Sequence, residues 1–135
     1  MRLFAPKGAD GARDLLEALA AGRSIAMLND QRYDAGVRAP FFGRMVMTNP
    51  AAARLALRFG AFVQPMSIHR LRGARFRCVV AEPIEIPDTG HRSADIEAGV
   101  RAINAFIEAR VRESPGEWWW LHKRWPREVY ARGQG

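Results

Sequence analysis

Apolar residues near the start of the chain recur at helical spacing: Ala12, Leu15, Leu16 and Leu19 stand at i, i+3, i+4 and i+7. This predicts a helix from Ala9 to about Ala21, with Asp10 suited to cap its start and Gly22 to end it. Ser24 to Leu28 (SIAML) then reads as a short buried strand that runs straight into polar Asn29-Asp30-Gln31. In α/β sheets a carboxyl strand end of this kind is where ligands are usually met. Arg32 to Met47 reads as a loop because Gly36, Pro40 and Gly43 break any period, although Pro40-Phe41-Phe42-Gly43 and Met45-Val46-Met47 are very apolar for one. Asn49 and Pro50 form a good helix start, Leu55, Ala56 and Phe59 would be the buried face, and Gly60 the stop.

Farther on, Ala61 to Arg70 and Arg75 to Ile86 read as two strands around a turn at Leu71 to Ala74. In the second strand Phe76, Cys78 and Val80 alternate with Arg75, Arg77 and Val79, which predicts a buried structural role for the Cys78 thiol. Ser93 can cap a long final helix reaching about Arg112. Its apolar stripe is Ile96, Val100, Ile103, Ile107 and Val111, and Ser114-Pro115-Gly116 ends it. The order helix, strand, helix, strand, strand, helix, tail predicts an α/β domain, a layered mixed sheet flanked by helices.

Composition narrows this picture without choosing a function. The 135 residues fit one domain, 48% hydrophobic and 26% charged, which argues against wholesale disorder. A lone cysteine excludes an internal disulfide and a zinc cluster. Met1 to Gly8 carries Arg2 and Lys7 but no apolar run, and no stretch approaches the roughly 20 apolar residues that span a bilayer. The expectation is a soluble or peripheral chain. Its net charge of +7, almost all from arginine, favours a polyanionic partner: nucleic acid, an anionic membrane surface, or a phosphorylated substrate or carrier. An arginine-prone genome would leave the same mark. No zinc finger, helix-turn-helix or RNA-binding signature supports nucleic acid, which remains an alternative as a basic binding module.

The most specific signal is an ordered series of short motifs. These are Asn29-Asp30-Gln31, Gly36-Val37, Pro40 to Gly43, Thr48, Gly60-Ala61, and Trp120-Leu121-His122-Lys123-Arg124-Trp125. In this order the series resembles the lipid A biosynthesis acyltransferases, the lauroyl/myristoyl transferase group, from the helix before SIAML to Trp125. The resemblance implies the C-terminal part of a glycerolipid or lipid A acyltransferase-like fold. It implies an enzyme at the cytoplasmic face of the bacterial inner membrane, peripheral in the case of this chain. Its donor would be acyl-acyl carrier protein and its acceptor a hydroxyl of a lipid A precursor or related glycolipid, with no cofactor or metal.

The family's general base is the histidine of a His-x-x-x-x-Asp/Glu motif. Five residues after His69, His91 and His122 stand Ala74, Ile96 and Arg127, none of them acidic. The expectation is therefore a partial acyltransferase domain over residues 1–135, without the anchor and histidine segment and inactive alone. A positioned base contributes roughly 100- to 10,000-fold to rate. The alternative is a non-catalytic remnant or split subunit. Half a fold would also leave an edge uncovered, which predicts self-association or pairing with a missing N-terminal half.

Among individual residues, Asp30 matches the acidic position of the family's DQ/DH motif and is the catalytic candidate, in a supporting role, with Gln31 beside it. Its plainer reading is a turn cap. Phe41 and Phe42 are candidates for the wall of an acyl pocket, where burial is worth about 0.8 kcal/mol per CH₂, or else core of an apolar loop. Arg38, Arg44 and Arg70 are candidates for acceptor phosphate or the acidic helices of a carrier, or else solvated charges. Trp118, Trp119, Trp120 and Trp125 among Lys123, Arg124 and Arg127 suit a membrane interface, single-stranded nucleic acid, or packing beneath the sheet.

Overall fold

A computed structural model describes residues 9–131. The stretch Met1 to Gly8 and the side chain of Asp10, read above as a leaderless start and a cap, lie outside the described residues. Helix α1 (Ala9–Ala20) forms where the periodicity places it. It closes at Gly22, whose φ is +69°, with the Gly22 and Arg23 amides donating to the carbonyls of Leu19 and Ala18. This paired closure needs a left-handed residue, which glycine supplies without a Cβ clash.

SIAML is not a strand. Residues 24–28 pair with nothing among the described residues, and Leu28 is 82% exposed. A strand exists only through its partner, so apolar composition alone did not suffice. The opposite error holds for residues 32–47, expected as a loop. They form a hairpin of β1 (Arg32–Phe41) and β2 (Arg44–Thr48), antiparallel, with Phe41 opposite Arg44. The three supposed breakers each have a place in it. Gly43 (φ +71°) and Phe42 (φ +50°) make the two-residue turn, whose paired positive φ values match the twist of the strands. Pro40 lies in a two-stranded ribbon, where every strand is an edge and a missing N–H is tolerated.

Gly36 marks a bulge, since both Arg32 and Val37 stand opposite Thr48. A Cβ there would lie 2.1 Å from the Thr48 carbonyl oxygen and 2.7 Å from that of Tyr33. Both obstacles are backbone and cannot rotate away. Gly36→Ala is therefore expected to cost about 1–3 kcal/mol. The check is a fall in urea midpoint, with the neighbouring Gly43→Ala as comparison, where no atom lies within 4 Å and only the left-handed backbone is strained.

Helix α2 (Ala51–Phe59) begins one residue later than read, with Pro50 rather than Asn49 at the cap position; the Ala51 amide donates to Asn49 Oδ1 at 2.9 Å, and Gly60 ends the helix at φ 60° as expected. Strands β3 (Met66–Arg70) and β4 (Phe76–Val80) form the second hairpin, shorter than expected, with only a Val63–Ile84 bridge beyond it. Helix α3 (Arg92–Glu113) starts one residue before Ser93, with His91 at the cap position and no side-chain cap bond. The buried Asp95 carboxylate instead reaches back to the Thr89 amide (3.0 Å) and hydroxyl (2.8 Å) and ties down the approach to the helix. A 3-10 turn (Pro115–Glu117) and α4 (Arg127–Ala131) complete the chain.

The α/β class holds, with the strands divided into two antiparallel ribbons among the described residues. Helix α3 lies across β1 and against α2, and Ala39, Ala53, Ile96 and Val100 meet there, with Val37, Leu57 and Ile86 around them. The expected stripe is the face that packs: Ile96, Val100, Ile103 and Val111 are buried and Ile107 half-buried. Cys78 departs from its expected role. The register puts it on one face with Met66, Ile68, Phe76 and Val80, and all five residues of that face are exposed, so no described element covers it.

Candidate functional site

The tail folds back over the first hairpin and drives one arginine into the protein. Arg124 is 1% exposed, the largest fully buried side chain. Its Nη1 donates to the Met47 carbonyl (2.9 Å), and its Nη2 to Thr48 Oγ1 (2.7 Å) and Asn104 Oδ1 (3.2 Å). Asn104 in turn donates its amide to Thr48 Oγ1 and to the Pro40 carbonyl, each at 3.1 Å. A planar guanidinium fork suits this convergence, since three acceptors from β2 and α3 fall within its reach. Burial lowers the Arg124 pKa from its ordinary guanidinium value to about 10, opposed by the negative charge of Asp30 and, less, by Tyr130. The group stays protonated at neutral pH, and its Nε is buried without a hydrogen-bond partner.

An aromatic cluster encloses this polar core. The Phe41 ring is fully buried, 5.0 Å from the Arg124 guanidinium, 4.9 Å from Phe42, 5.7 Å from Trp118 and 5.6 Å from Trp125. The Trp118 indole N–H donates to Asp30 Oδ2 at 3.3 Å, so Asp30 is held at the rim of the cluster. Phe41 thus packs the interior. Phe42, one residue on, lines an open cleft of about 300 Å³ with Arg44, Trp120, Trp125, Val129 and Tyr130.

The strained turn residue Phe42 is anchored from α3. Its amide donates to Glu108 Oε2 at 2.5 Å, while Arg112 donates to Glu108 Oε1 at 2.7 and 3.2 Å and stacks 4.6 Å from the Phe42 ring. The Arg112 hydrogen bonds first, then the Phe42 amide, hold the Glu108 carboxyl below its ordinary 4.5, against a smaller opposing effect of desolvation. A depressed folded-state pKa gives stabilisation that is present above the unfolded value and lost as pH falls through the folded one. Wild type should therefore be more stable than Glu108→Gln at neutral pH, and the gap should close as pH drops below the ordinary glutamate value. Urea titrations of both proteins across that range check this.

The structure brings some of the sequence candidates together and leaves others apart. Asp30, Phe41, Phe42 and Arg44 gather around the folded tail. Arg70 ends β3 exposed, its guanidinium 5.0 Å above the Phe76 ring and its amide donating to Glu117 just ahead of Trp118. Gln31 and Arg38 are exposed, Arg38 opposite Met47 on the hairpin. Two residues that carry the polar core were not singled out from the sequence. Asn104 had a signal, a polar residue four after Val100 on the buried helix face, whereas Arg124 looked like one of several tail cations. Among the described residues no group of three His, Cys, Asp or Glu side chains is placed to hold a metal ion, and no helix is long and apolar enough to cross a membrane.

Fold and site together define an α/β domain with a largely aromatic cleft, a carboxylate that accepts from an indole, and a buried guanidinium. The chain belongs to the bacterial lipid A biosynthesis acyltransferase family, whose family model matches residues 1–127. Its function in general terms is that of this family, acyl transfer in lipid A biosynthesis. A search of curated proteins finds no match.

Proposed function

We propose that the chain forms the acyl- and acceptor-facing part of an O-acyltransferase that moves a fatty acyl group from acyl-acyl carrier protein to a hydroxyl of a lipid A precursor or related glycolipid. In this reading the acceptor hydroxyl attacks the thioester carbonyl, its proton passes to a histidine base, and the carrier thiol leaves. Asp30 is the supporting carboxylate, and its grip by Trp118 under the field of Arg124 is the observation that carries its role. Phe42 lines the cleft on the acyl side, with Phe41 fixing it from below. Gln31, Arg38, Arg44 and Arg70 are the polar and cationic groups offered to acceptor phosphate or to the acidic helices of a carrier.

The base is absent from the chain as read, since none of His69, His91 and His122 has an acidic residue five positions on. These residues alone are therefore proposed to be inactive and to act together with a His-x-x-x-x-Asp/Glu segment, on the same polypeptide or a separate one, working peripherally at the cytoplasmic face of the inner membrane. The test assays the chain with acyl-acyl carrier protein and a lipid A precursor, alone and mixed with such a polypeptide. No transfer alone and transfer in the mixture, lowered at least about 100-fold by Asp30→Ala, is the expected result. Transfer by the chain alone, abolished by Asp30→Ala, would overturn the inactivity. Transfer in the mixture that Asp30→Ala leaves unchanged would remove Asp30 from the site.

A further inference from the structure

Among the described residues Phe42 is the one non-glycine at positive φ, at +50°. The first position of a two-residue turn of this kind usually holds asparagine, aspartate or glycine, which tolerate the left-handed region; an aromatic residue is strained there. Such a conformation persists only where its surroundings over-determine it, and it collects at ligand clamps. Three contacts hold Phe42. Its amide donates to Glu108 Oε2 at 2.5 Å, the Arg112 guanidinium lies 4.6 Å over its ring, and the ring meets Phe41 edge-on at 4.9 Å. Arg112 in turn fixes the Glu108 carboxylate through two hydrogen bonds to Oε1, at 2.7 and 3.2 Å. Neither Glu108 nor Arg112 lines the cleft; both stand behind Phe42, which does.

We infer that Glu108 and Arg112 are positioning residues that set the acyl chain length the cleft accepts, by locking the Phe42 ring as a rigid wall. The inference rests on the reading of this cleft as the acyl side of the transferase. A wall that yields admits one more methylene, and a locked one does not. Each methylene that finds apolar cover gains roughly fourfold in affinity, and one turned away by a fixed ring gains nothing. The strained turn makes the lock necessary. Gly43 and Arg44 beside Phe42 are exposed, so nothing in the hairpin tip opposes a return to negative φ once the hold from α3 is lost. The ring then swings off the cleft and opens it on that side. The spacing of four places Glu108 and Arg112 on one face of α3, where they pair with each other before they meet the turn.

The test titrates the chain with saturated acyl-pantetheine thioesters differing by two carbons, followed by tryptophan fluorescence, since Trp120 and Trp125 line the cleft. Wild type should gain affinity with length up to a limit and gain nothing from two carbons more. In Glu108→Ala and in Arg112→Ala those two carbons should seat, so that the thioester just beyond the limit binds at least about tenfold tighter than the limiting one. The Arg112 side chain is 61% exposed, and its truncation leaves the fold intact for the measurement. Asp95→Asn is the control for stability. It weakens the bonds to Thr89 at the other end of α3 and should lower the urea midpoint with the length limit unchanged. A limit that stays put in both Glu108→Ala and Arg112→Ala would overturn the inference, leave the pair as a plain anchor of the hairpin, and spare the acyl reading of the cleft. A limit that moves as far in Asp95→Asn would overturn it too, as a general loosening of the protein. No fluorescence response to any thioester would remove the acyl reading and the inference with it.

Discussion

Arg124→Ala is expected to lose about 3–5 kcal/mol of folding stability, the range for breaking a buried charged network. The loss has three sources. The Met47 carbonyl, Thr48 Oγ1 and Asn104 Oδ1 each lose a charge-assisted donor in a site that water does not reach. The ring of Phe41 loses the cation stacked on it, and a large cavity opens. The tail also loses the group that ties it to β2 and α3. Against a typical domain stability of about 5–15 kcal/mol this is a large fraction. Arg124→Lys keeps the charge but cannot reach three diverging acceptors with a fork, so an intermediate loss is expected. Urea denaturation followed by tryptophan fluorescence measures both. A midpoint for Arg124→Ala within experimental error of wild type would show that the tail does not depend on this network.

Phe41→Ala is the second large effect, again about 3–5 kcal/mol. Its ring is fully buried and touches Phe42, Trp118, Trp125 and Arg124, while its carbonyl accepts a bond from the Trp125 indole at 3.4 Å. Removing the ring leaves a void bounded by three aromatic side chains that cannot collapse far without moving the hairpin. Phe42→Ala gives a useful contrast. That ring is half-buried at the cleft, so its removal should cost less and should relieve little of the strain at φ +50°. Because Phe41 and Arg124 are in contact, the double variant should lose less than the sum of the two singles. An additive result in a double-mutant cycle would mean that the ring and the guanidinium act separately.

These two residues also show how far the sequence carried. Phe41 and Phe42 were legible as a pair, but not that one would be interior and the other cleft wall. That division follows from the turn, which points successive side chains to different surroundings once Phe42 and Gly43 take positive φ. Asp30 was singled out only through its place in an ordered motif series, and the indole that bonds it lies 88 residues away. No local pattern announces a contact of that range. Cys78 was read correctly onto the apolar face of a strand and wrongly as buried, because alternation fixes a face and says nothing about what covers it.

By itself the sequence determined the three long helices and their stops, since helical periodicity, Gly22 and Gly60 act over a few residues and need no distant partner. It also determined the family, through motif order. Strand pairing was decided only by the tertiary structure. SIAML has strand composition and no partner, while residues 32–47 hold three apparent breakers and pair well, because a bulge, a turn and an edge each use the residue that looked disruptive. The burial of Arg124 was likewise decided there. Nothing in its neighbours distinguishes it from Lys123 or Arg127, and only the convergence of Met47, Thr48 and Asn104 makes one guanidinium an interior group and leaves the adjacent cations at the surface.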